Sequence, residues 1–241
     1  MKKLIAFLLV FALCLGLAGC GKGKAATADT DSSSRPASSE SSSSKEPEEE
    51  EKEEYKVNFD SWEMKLTDSA HPLAEGFAPP LATVKSAYTN HPNTRFDARA
   101  IGRLLYMLED AEKAGVKLKV ETAFKSENDQ LSIFNAKVNE VMDSDITLTL
   151  KEAEDIAKTQ VAFPRTSEHE LGLAVDFAKE GSAFKEADEY KWLIENCYDY
   201  GFVPRFEDNP AHFRYVGTEN AAAIKKSGLG FDEYIKQFGN K

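Results

Sequence analysis

Cysteine is scarce in this chain of 241 residues, which contains only three. Cys14 and Cys20 belong to the N-terminal region, so Cys197 stands alone in the rest of the sequence. One cysteine cannot form an internal disulfide, and the fold must therefore rest on core packing or on metal. Cys197 lies among apolar residues at helical spacing, which predicts a core side chain rather than a nucleophile.

Positive charge is also in short supply, with 30 Lys and Arg against 41 Asp and Glu and a net charge of −11. A protein that binds nucleic acid needs a basic surface to displace the counterions of the phosphates. The charge balance therefore excludes nucleic acid as a partner. The sequence also shows no internal repeat.

Long apolar runs are missing except for Leu4–Leu17, which follows two lysines and is too short to span a bilayer stably. The run closes on L-A-G-C at residues 17–20, which resembles a bacterial lipobox, where a peptidase cuts before a cysteine that receives diacylglycerol. An ordinary signal peptide with an incidental cysteine is the alternative. We predict a signal peptide over 1–19, lipidation of Cys20, and an exported protein that meets the membrane only through its lipid anchor.

Aromatic and branched aliphatic residues are absent from Gly21–Glu54, which is rich in serine and glutamate. Such a segment cannot offset its own ordering entropy, so residues 20–54 are predicted to be the lipidated cysteine and a disordered linker. Residues 55–241 remain as one folded domain, long enough for a substantial core. We expect this domain to be a monomer.

Apolar periodicity in this domain predicts helices alternating irregularly with short strands, which is typical of an α+β fold. The helices begin after Asp97, at Ser126, at Thr149 with a capping box to Glu152, at Glu186, at Thr218 and at Phe231. The predicted strands are Val116–Phe124, Leu173–Ala178, Phe202–Phe206 and His212–Val216.

Two of the four histidines stand in settings that suggest chemistry. His169 lies in a predicted loop, and Asp176 follows it inside an apolar strand, where a buried carboxylate needs a partner or a metal. His212 begins a second apolar strand. Two imidazoles and one carboxylate fit a catalytic zinc site with an open fourth position. Spacing alone leaves an alternative open, in which one histidine forms a hydrogen bond with Asp176 and the other is a separate core residue.

Residues 167–176, S-E-H-E-L-G-L-A-V-D, resemble the S-x-H-x-x-G-x-A-x-D motif of the VanY-like D-alanyl-D-alanine carboxypeptidases. The segment H-F-R-Y-V-G from His212 is similar to the family's last zinc-ligand segment, and the resemblance extends from about Trp62 to Ile235. The chain is thus identified as a member of this family. The resemblance implies a compact single zinc-peptidase domain, α+β, with a short central antiparallel sheet flanked by helices.

The resemblance also assigns roles to particular residues. It implies that Zn²⁺ is held by His169, Asp176 and His212, and that Gly172 allows close packing of the ligand loop. It implies that the substrate is a peptidoglycan stem peptide whose terminal carboxylate is bound in a pocket lined by Lys125, Gln130 and Ser167.

The chain departs from the family pattern at three positions. Asn209-Pro210-Ala211-His212 stands where the family has E-P-W-H, so Asn209 occupies the position of the general base. An amide cannot accept the proton, and the alternative acids are Asp208 and Glu207, one and two residues upstream. Ala211 is expected to remove an aromatic wall of the pocket. Lys125 replaces an arginine and offers a point charge instead of a planar pair of donors.

These observations predict a zinc-dependent D-alanyl-D-alanine carboxypeptidase that acts on stem peptides. The alternative within the family is an impaired member that binds peptidoglycan without cleaving it, because Asn209 replaces the base. A third hypothesis from a different class is an exported lipoprotein that binds an unrelated small ligand.

Overall fold

The computed structural model describes residues 59–178 and 183–239. The predicted signal peptide (1–19), the predicted lipidation site Cys20 and the predicted linker (20–54) lie outside the described residues. Within the described ranges, no helix combines the length and the apolar character needed to cross a bilayer.

Helices and short strands make up the described domain, which confirms the predicted α+β class. The helices are α1 (Ile101–Lys113), α2 (Glu127–Ser144), α3 (Leu150–Ala157), α4 (Asp188–Asn196), α5 (Thr218–Ser227) and α6 (Phe231–Phe238). The strands are β1 (Leu81–Thr83), β2 (Arg95–Asp97), β3 (Ala174–Asp176), β4 (Phe202–Pro204) and β5 (His212–Tyr215).

The central sheet has three antiparallel strands in the order β3-β5-β4, as the family resemblance implies. Its register places Asp176 directly opposite His212 and Val175 opposite Phe213. Side chains directly opposite each other in an antiparallel pair project from the same face. The strand pairing therefore brings together two residues that are far apart in the sequence. Strands β1 and β2 form a separate antiparallel pair.

The helix starts predicted at Ser126 and Thr149 are observed, whereas Thr218 is the first residue of α5 and does not cap it. Ser126 caps α2 and shares a capping box with Asp129, and Thr149 caps α3 in the predicted box with Glu152. Each box satisfies N–H groups that a helix start leaves without an intrahelical partner. Helix α1 begins only at Ile101, because the carboxylate of Asp97 binds the backbone N–H and the guanidinium of Arg99 in the preceding turn.

The predicted strand Val116–Phe124 is wrong. The segment makes isolated bridges, from Val120 to Thr89 and from Thr122 to Asp176, and the N–H of Phe124 donates to the carbonyl of Arg95. Because the segment changes its neighbour every two residues, no continuous ladder forms. Its path nonetheless carries the chain from the central sheet to the start of α2.

The predicted helix Glu186–Tyr200 is divided in the structure. Helix α4 ends at Asn196, and the chain continues as a 3₁₀ turn over Cys197–Tyr200. The turn ends at Gly201, which has a φ of 86°. A Cβ at Gly201 would lie 2.8 Å from a ring atom of Tyr215, so a glycine is required for this close approach. The predicted strands after this point are shorter than expected, and β4 ends at Pro204, which has no N–H to donate.

The main core lies between α1 and the central sheet. Leu104, Met107 and Leu108 of α1 are buried in the same cluster as Phe202 and Phe213 of the sheet. Cys197 belongs to this cluster and is fully buried. Burial raises the pKa of the Cys197 thiol to about 12, so it stays protonated, which confirms the prediction of a core side chain.

Candidate functional site

His169 is positioned by a tight loop that Gly172 closes just before β3. Gly172 has a φ of 73°, and a Cβ there would lie 3.3 Å from a side-chain atom of Pro79. The carbonyl of His169 accepts hydrogen bonds from the N–H groups of Gly172 and Lys125, at 3.1 and 3.2 Å. The loop is therefore held from both sides, and Gly172 lies at a close packing contact, as expected.

The structure brings the three expected metal ligands together. His169 Nε2 lies 3.2 Å from Asp176 Oδ2, and His212 Nδ1 lies 2.8 Å from Asp176 Oδ1. Each of the three side chains offers one candidate ligand atom, and these three atoms all lie within 4.8 Å of one another. Ligands about 2.1 Å from a tetrahedral zinc ion would lie about 3.4 Å apart, so this set fits one ion. The alternative of a separate core histidine is wrong, because both imidazoles contact the same carboxylate.

The charges of these groups suit a metal. Burial lowers the pKa of His169, which keeps its imidazole neutral. Burial alone would raise the pKa of Asp176, but the two imidazoles lower it well below its usual range, so the carboxylate is ionised. Burial lowers the pKa of His212, but its hydrogen bonds to Asp176 and Glu168 outweigh this and raise it. A neutral imidazole and an ionised carboxylate are the forms that bind zinc.

Each imidazole is also held through the ring nitrogen that points away from the other ligands. His169 Nδ1 donates to the carbonyl of Ala123 at 2.7 Å, and His212 Nε2 donates to Glu168 Oε2 at 3.1 Å. Burial alone would raise the pKa of Glu168, but the bond from His212 and the charges of Arg205 and Arg214 lower it far below its usual range. Glu168 is therefore a buried carboxylate ion.

The ligands line a cleft with a volume of about 600 Å³. The same cleft is lined by every other residue to which the sequence assigned a catalytic or substrate-binding role, namely Lys125, Gln130, Ser167, Asp208 and Asn209. Residues from distant parts of the sequence thus converge on one cavity.

The predicted substrate-binding residues differ in what they already contact. Ser167 Oγ accepts a hydrogen bond from the N–H of His169 at 3.3 Å. The amide nitrogen of Gln130 donates to the carbonyl of Ala162 at 2.7 Å, which places Gln130 partly in a structural role. Lys125 lines the cleft, and its positive charge adds to the burial that lowers the pKa of His169.

The turn from 205 to 211 joins β4 to β5 and carries the departures from the family pattern. The carbonyl of Asn209 accepts the N–H of His212 at 3.1 Å. The side-chain Oδ1 of Asn209 is buried and, among the described residues, has no hydrogen-bond partner. Asp208 is exposed on the same cleft. Both candidates for the base position thus line the same cleft as the ligands.

The expectation that Ala211 opens a wall of the pocket needs correction. Ala211 is 1% exposed and packs in the main core rather than against the cleft. The aromatic ring beside the metal ligands belongs to Phe206, whose centroid lies 5.2 Å from that of His212. The side chain at position 211 faces the core because β5 begins at the next residue.

Sequence reasoning missed Glu168 and Arg205. The Nε of Arg205 donates to both carboxylate oxygens of Glu168, at 2.9 and 3.1 Å, and both side chains are at most 9% exposed. The available signal was an acidic residue directly before a metal ligand, together with an arginine at the end of a buried strand. Such a signal is weak, because a charged residue in a loop is usually solvated.

Two imidazoles and one carboxylate, buried on the wall of an open cleft, fit a mononuclear zinc centre of the type that keeps one position for a water or a substrate. Residues 93–220, which contain the whole constellation, match the family model described as VanY, D-alanyl-D-alanine carboxypeptidase. The chain therefore belongs to the VanY family.

Individual relatives agree with this assignment. A D-alanyl-D-alanine carboxypeptidase of Enterococcus faecalis is 32% identical over 184 residues, which cover 72% of this chain and 66% of the relative. The solved structure of VanYB in complex with D-alanine-D-alanine is 31% identical with a TM-score of 0.62, covering 74% of this chain and 99% of that one. A mutant of the vancomycin-resistance D,D-pentapeptidase VanY in complex with Zn(II) is 32% identical with a TM-score of 0.60, covering 73% and 99%.

Proposed function

We propose that this protein is a zinc-dependent D,D-carboxypeptidase that removes the terminal D-alanine from peptidoglycan stem peptides. The observation that carries the proposal is the convergence of His169, Asp176 and His212 on one cleft that is also lined by a buried serine and a lysine. Similar proteins have been solved with D-alanine-D-alanine and with Zn(II), which supports both the substrate class and the metal.

The cleft offers groups for a peptide that ends in a carboxylate. Zinc held by the three ligands would supply the nucleophile by lowering the pKa of a water molecule, and it would polarise the scissile carbonyl. Lys125 would pair with the terminal carboxylate through its ammonium group, and the Ser167 hydroxyl would donate to it. Because both residues line the same cleft as the ligands, they would hold the last peptide bond against the metal centre.

Proton removal is the step for which this chain differs from the family pattern. The amide of Asn209 can accept a hydrogen bond from the attacking water but cannot take its proton. Asp208 lines the same cleft and carries a carboxylate. We assign the base role to Asp208, with Asn209 orienting the water through its buried Oδ1, which has no hydrogen-bond partner in the described part of the chain.

The experiment that tests this function uses the purified protein, zinc and a muropeptide that ends in D-Ala-D-Ala. Mass spectrometry should show the loss of one alanine, and an enzymatic assay should show free D-alanine. A matched muropeptide with a single terminal D-alanine tests whether the second D-residue is required. Sedimentation with purified sacculi without any alanine release would contradict the proposal and favour the impaired, binding-only member of the family.

Export and lipid anchoring are part of the proposal and rest on the sequence of residues 1–20. Cells that express the chain and are fed a labelled fatty acid should incorporate the label into the protein. Cys20→Ser should abolish the label and release the domain from the membrane fraction, because the thiol is the attachment point. Membrane association that persists without label in Cys20→Ser would show that the protein is held in another way.

A further inference from the structure

Glu168 is enclosed by three side chains that all offer hydrogen-bond donors or positive charge. His212 Nε2 lies 3.1 Å from its carboxylate, Arg205 Nε lies 2.9 Å away, and a terminal nitrogen of Arg214 lies at 3.6 Å. The Glu168 side chain is only 9% exposed. A carboxylate so enclosed has little freedom to rotate, so its position is set by the fold rather than by solvent.

This arrangement decides which ring nitrogen of His212 is available to a metal. A neutral imidazole carries one N–H and one lone pair. If Glu168 accepts the N–H at Nε2, the lone pair is at Nδ1, which faces the other two ligands. We infer that Glu168 is a positioning residue, which holds His212 with its proton on Nε2 and its lone pair on Nδ1 toward the zinc site.

His169 shows the same principle with a different acceptor. Its Nδ1 donates to the carbonyl of Ala123, so its lone pair is at Nε2, beside Asp176. A backbone carbonyl is neutral, whereas the Glu168 carboxylate is contacted by the guanidinium groups of Arg205 and Arg214, and an acceptor held in a charge-assisted pair makes the stronger hydrogen bond and a more basic imidazole. The two histidines are thus held through opposite nitrogens, and His212 receives the stronger support.

Arg205 fixes Glu168 in turn. Its guanidinium lies between the rings of Phe206 and Phe231, at 4.8 and 4.6 Å from their centroids, and its terminal nitrogen binds Asp232 at 3.0 Å. The chain of contacts runs from the surface carboxylate of Asp232 through Arg205 and Glu168 to the ring of His212. This places a group from α6 and a group from the 205–211 turn behind one metal ligand.

The test measures zinc affinity by competition with a chelator, in the purified full chain. Glu168→Met should weaken zinc binding about 10–100-fold, because partners of metal ligands typically contribute that much. Glu168→Gln should weaken it less, because an amide oxygen can still accept the His212 N–H. This inference rests on the metal site and not on the proposed peptidase activity, so an inactive but zinc-binding protein leaves the measurement intact.

Long-range ¹H–¹⁵N NMR of the zinc-loaded wild-type protein gives an independent readout. His212 should show a protonated, slowly exchanging Nε2 and a metal-bound Nδ1, while His169 should show the reverse. Zinc on Nε2 of His212 would overturn the inference even if Glu168→Met does not fold. The NMR assignment of His169 should be the same in wild type and in Glu168→Gln.

Asp232→Asn is the matched control, since it removes a carboxylate from Arg205 without touching His212. Its zinc affinity should stay within about twofold of wild type. A role of Glu168 only as counter-ion to the arginines predicts a lower melting temperature of the zinc-free Gln and Met variants with no change in zinc affinity. That result, or an equal loss of zinc affinity in Asp232→Asn, would overturn the inference.

Discussion

The two strands that carry Asp176 and His212 differ from the turn that precedes His212 in how completely their polar atoms are paired. Both oxygens of Asp176 contact an imidazole, and each imidazole is held on its other nitrogen. In the turn, Asn209 has a buried oxygen without a described partner, and Asp208 is exposed. A closed hydrogen-bond network fixes metal ligands, whereas an open one leaves groups available to a water or a substrate.

Metal binding and catalysis are therefore expected to depend on different parts of the chain. The three candidate ligands His169, Asp176 and His212, here called the ligand half of the site, match the family pattern. The turn departs from that pattern at the base position. Substitutions in the ligand half should therefore change zinc content, while substitutions in the turn should change turnover with zinc retained.

The largest effect is expected for His212→Ala. The wild-type protein should hold about one zinc ion per chain, and the variant should hold almost none, because two ligands rarely retain the metal. Activity should fall at least about 100-fold, since zinc supplies the nucleophile. Elemental analysis and alanine release measure the two effects. His91→Ala is the control, since His91 is a half-exposed histidine paired with Glu121. An unchanged zinc content in His212→Ala would contradict the ligand assignment.

Asp208→Asn tests the turn. If Asp208 takes the proton, kcat should fall about 10²–10⁴-fold, while KM and zinc content stay the same. Steady-state kinetics with elemental analysis measure this separation. Glu207→Gln is the matched control, because Glu207 is the neighbouring acid and is also exposed.

Asn209→Glu tests which residue of the turn acts as the base, because it restores a carboxylate at the family's base position. With Asp208 as the base, the new side chain crowds the site and kcat should stay within a few-fold of wild type. A rise of tenfold or more, together with an unaffected Asp208→Asn, would show that position 209 faces the water and that Asp208 is not the base. Zinc content in Asn209→Glu reports whether the ligand half is undisturbed.

Lys125→Ala should affect substrate binding rather than metal binding. A charge-assisted hydrogen bond contributes about 1.5–3 kcal/mol, so KM for a peptide with a free terminal carboxylate should rise about 10–100-fold. The same peptide with an amidated C-terminus should show no such dependence on Lys125. Lys125→Arg should keep most of the affinity, because it keeps the charge. The same KM in wild type and in Lys125→Ala would show that Lys125 does not bind the terminal carboxylate.

The smallest effect concerns acid stability of the zinc-free protein. The pKa of Glu168 is lower in the folded protein than in the unfolded chain, where it is about 4.3. The unfolded chain therefore binds protons first, so this contribution is complete above the unfolded pKa and is lost as pH falls toward the folded one. The free energy of unfolding should drop by up to about 1.4 kcal/mol per pH unit for this group below about pH 4.3. Denaturant titrations with EDTA from pH 7 to pH 3 should show a shallower drop in Glu168→Gln than in wild type, and equal slopes would contradict the prediction.

Features with a local cause could be predicted from the sequence. The capping boxes at Ser126 and Thr149 depend on residues three positions apart, and both are present. The candidate metal ligands were assigned from the resemblance of residues 167–176 and of the segment from His212 to family motifs, since spacing alone left another arrangement open. The continuous strand predicted over Val116–Phe124 failed because pairing depends on whether a neighbour stays alongside, which periodicity does not show.

Short-range patterns in the sequence were enough to predict the helix starts at Ser126 and Thr149 and the α+β class, and the family resemblance supplied the three candidate ligands. The positions of Asp176 opposite His212, of Ala211 in the core and of Glu168 against the His212 ring became visible only in the folded domain. These placements come from strand register and from side chains that meet across more than 30 residues of sequence. Long-range contacts of this kind depend on the packing of the whole domain, so no local pattern of residues specifies them.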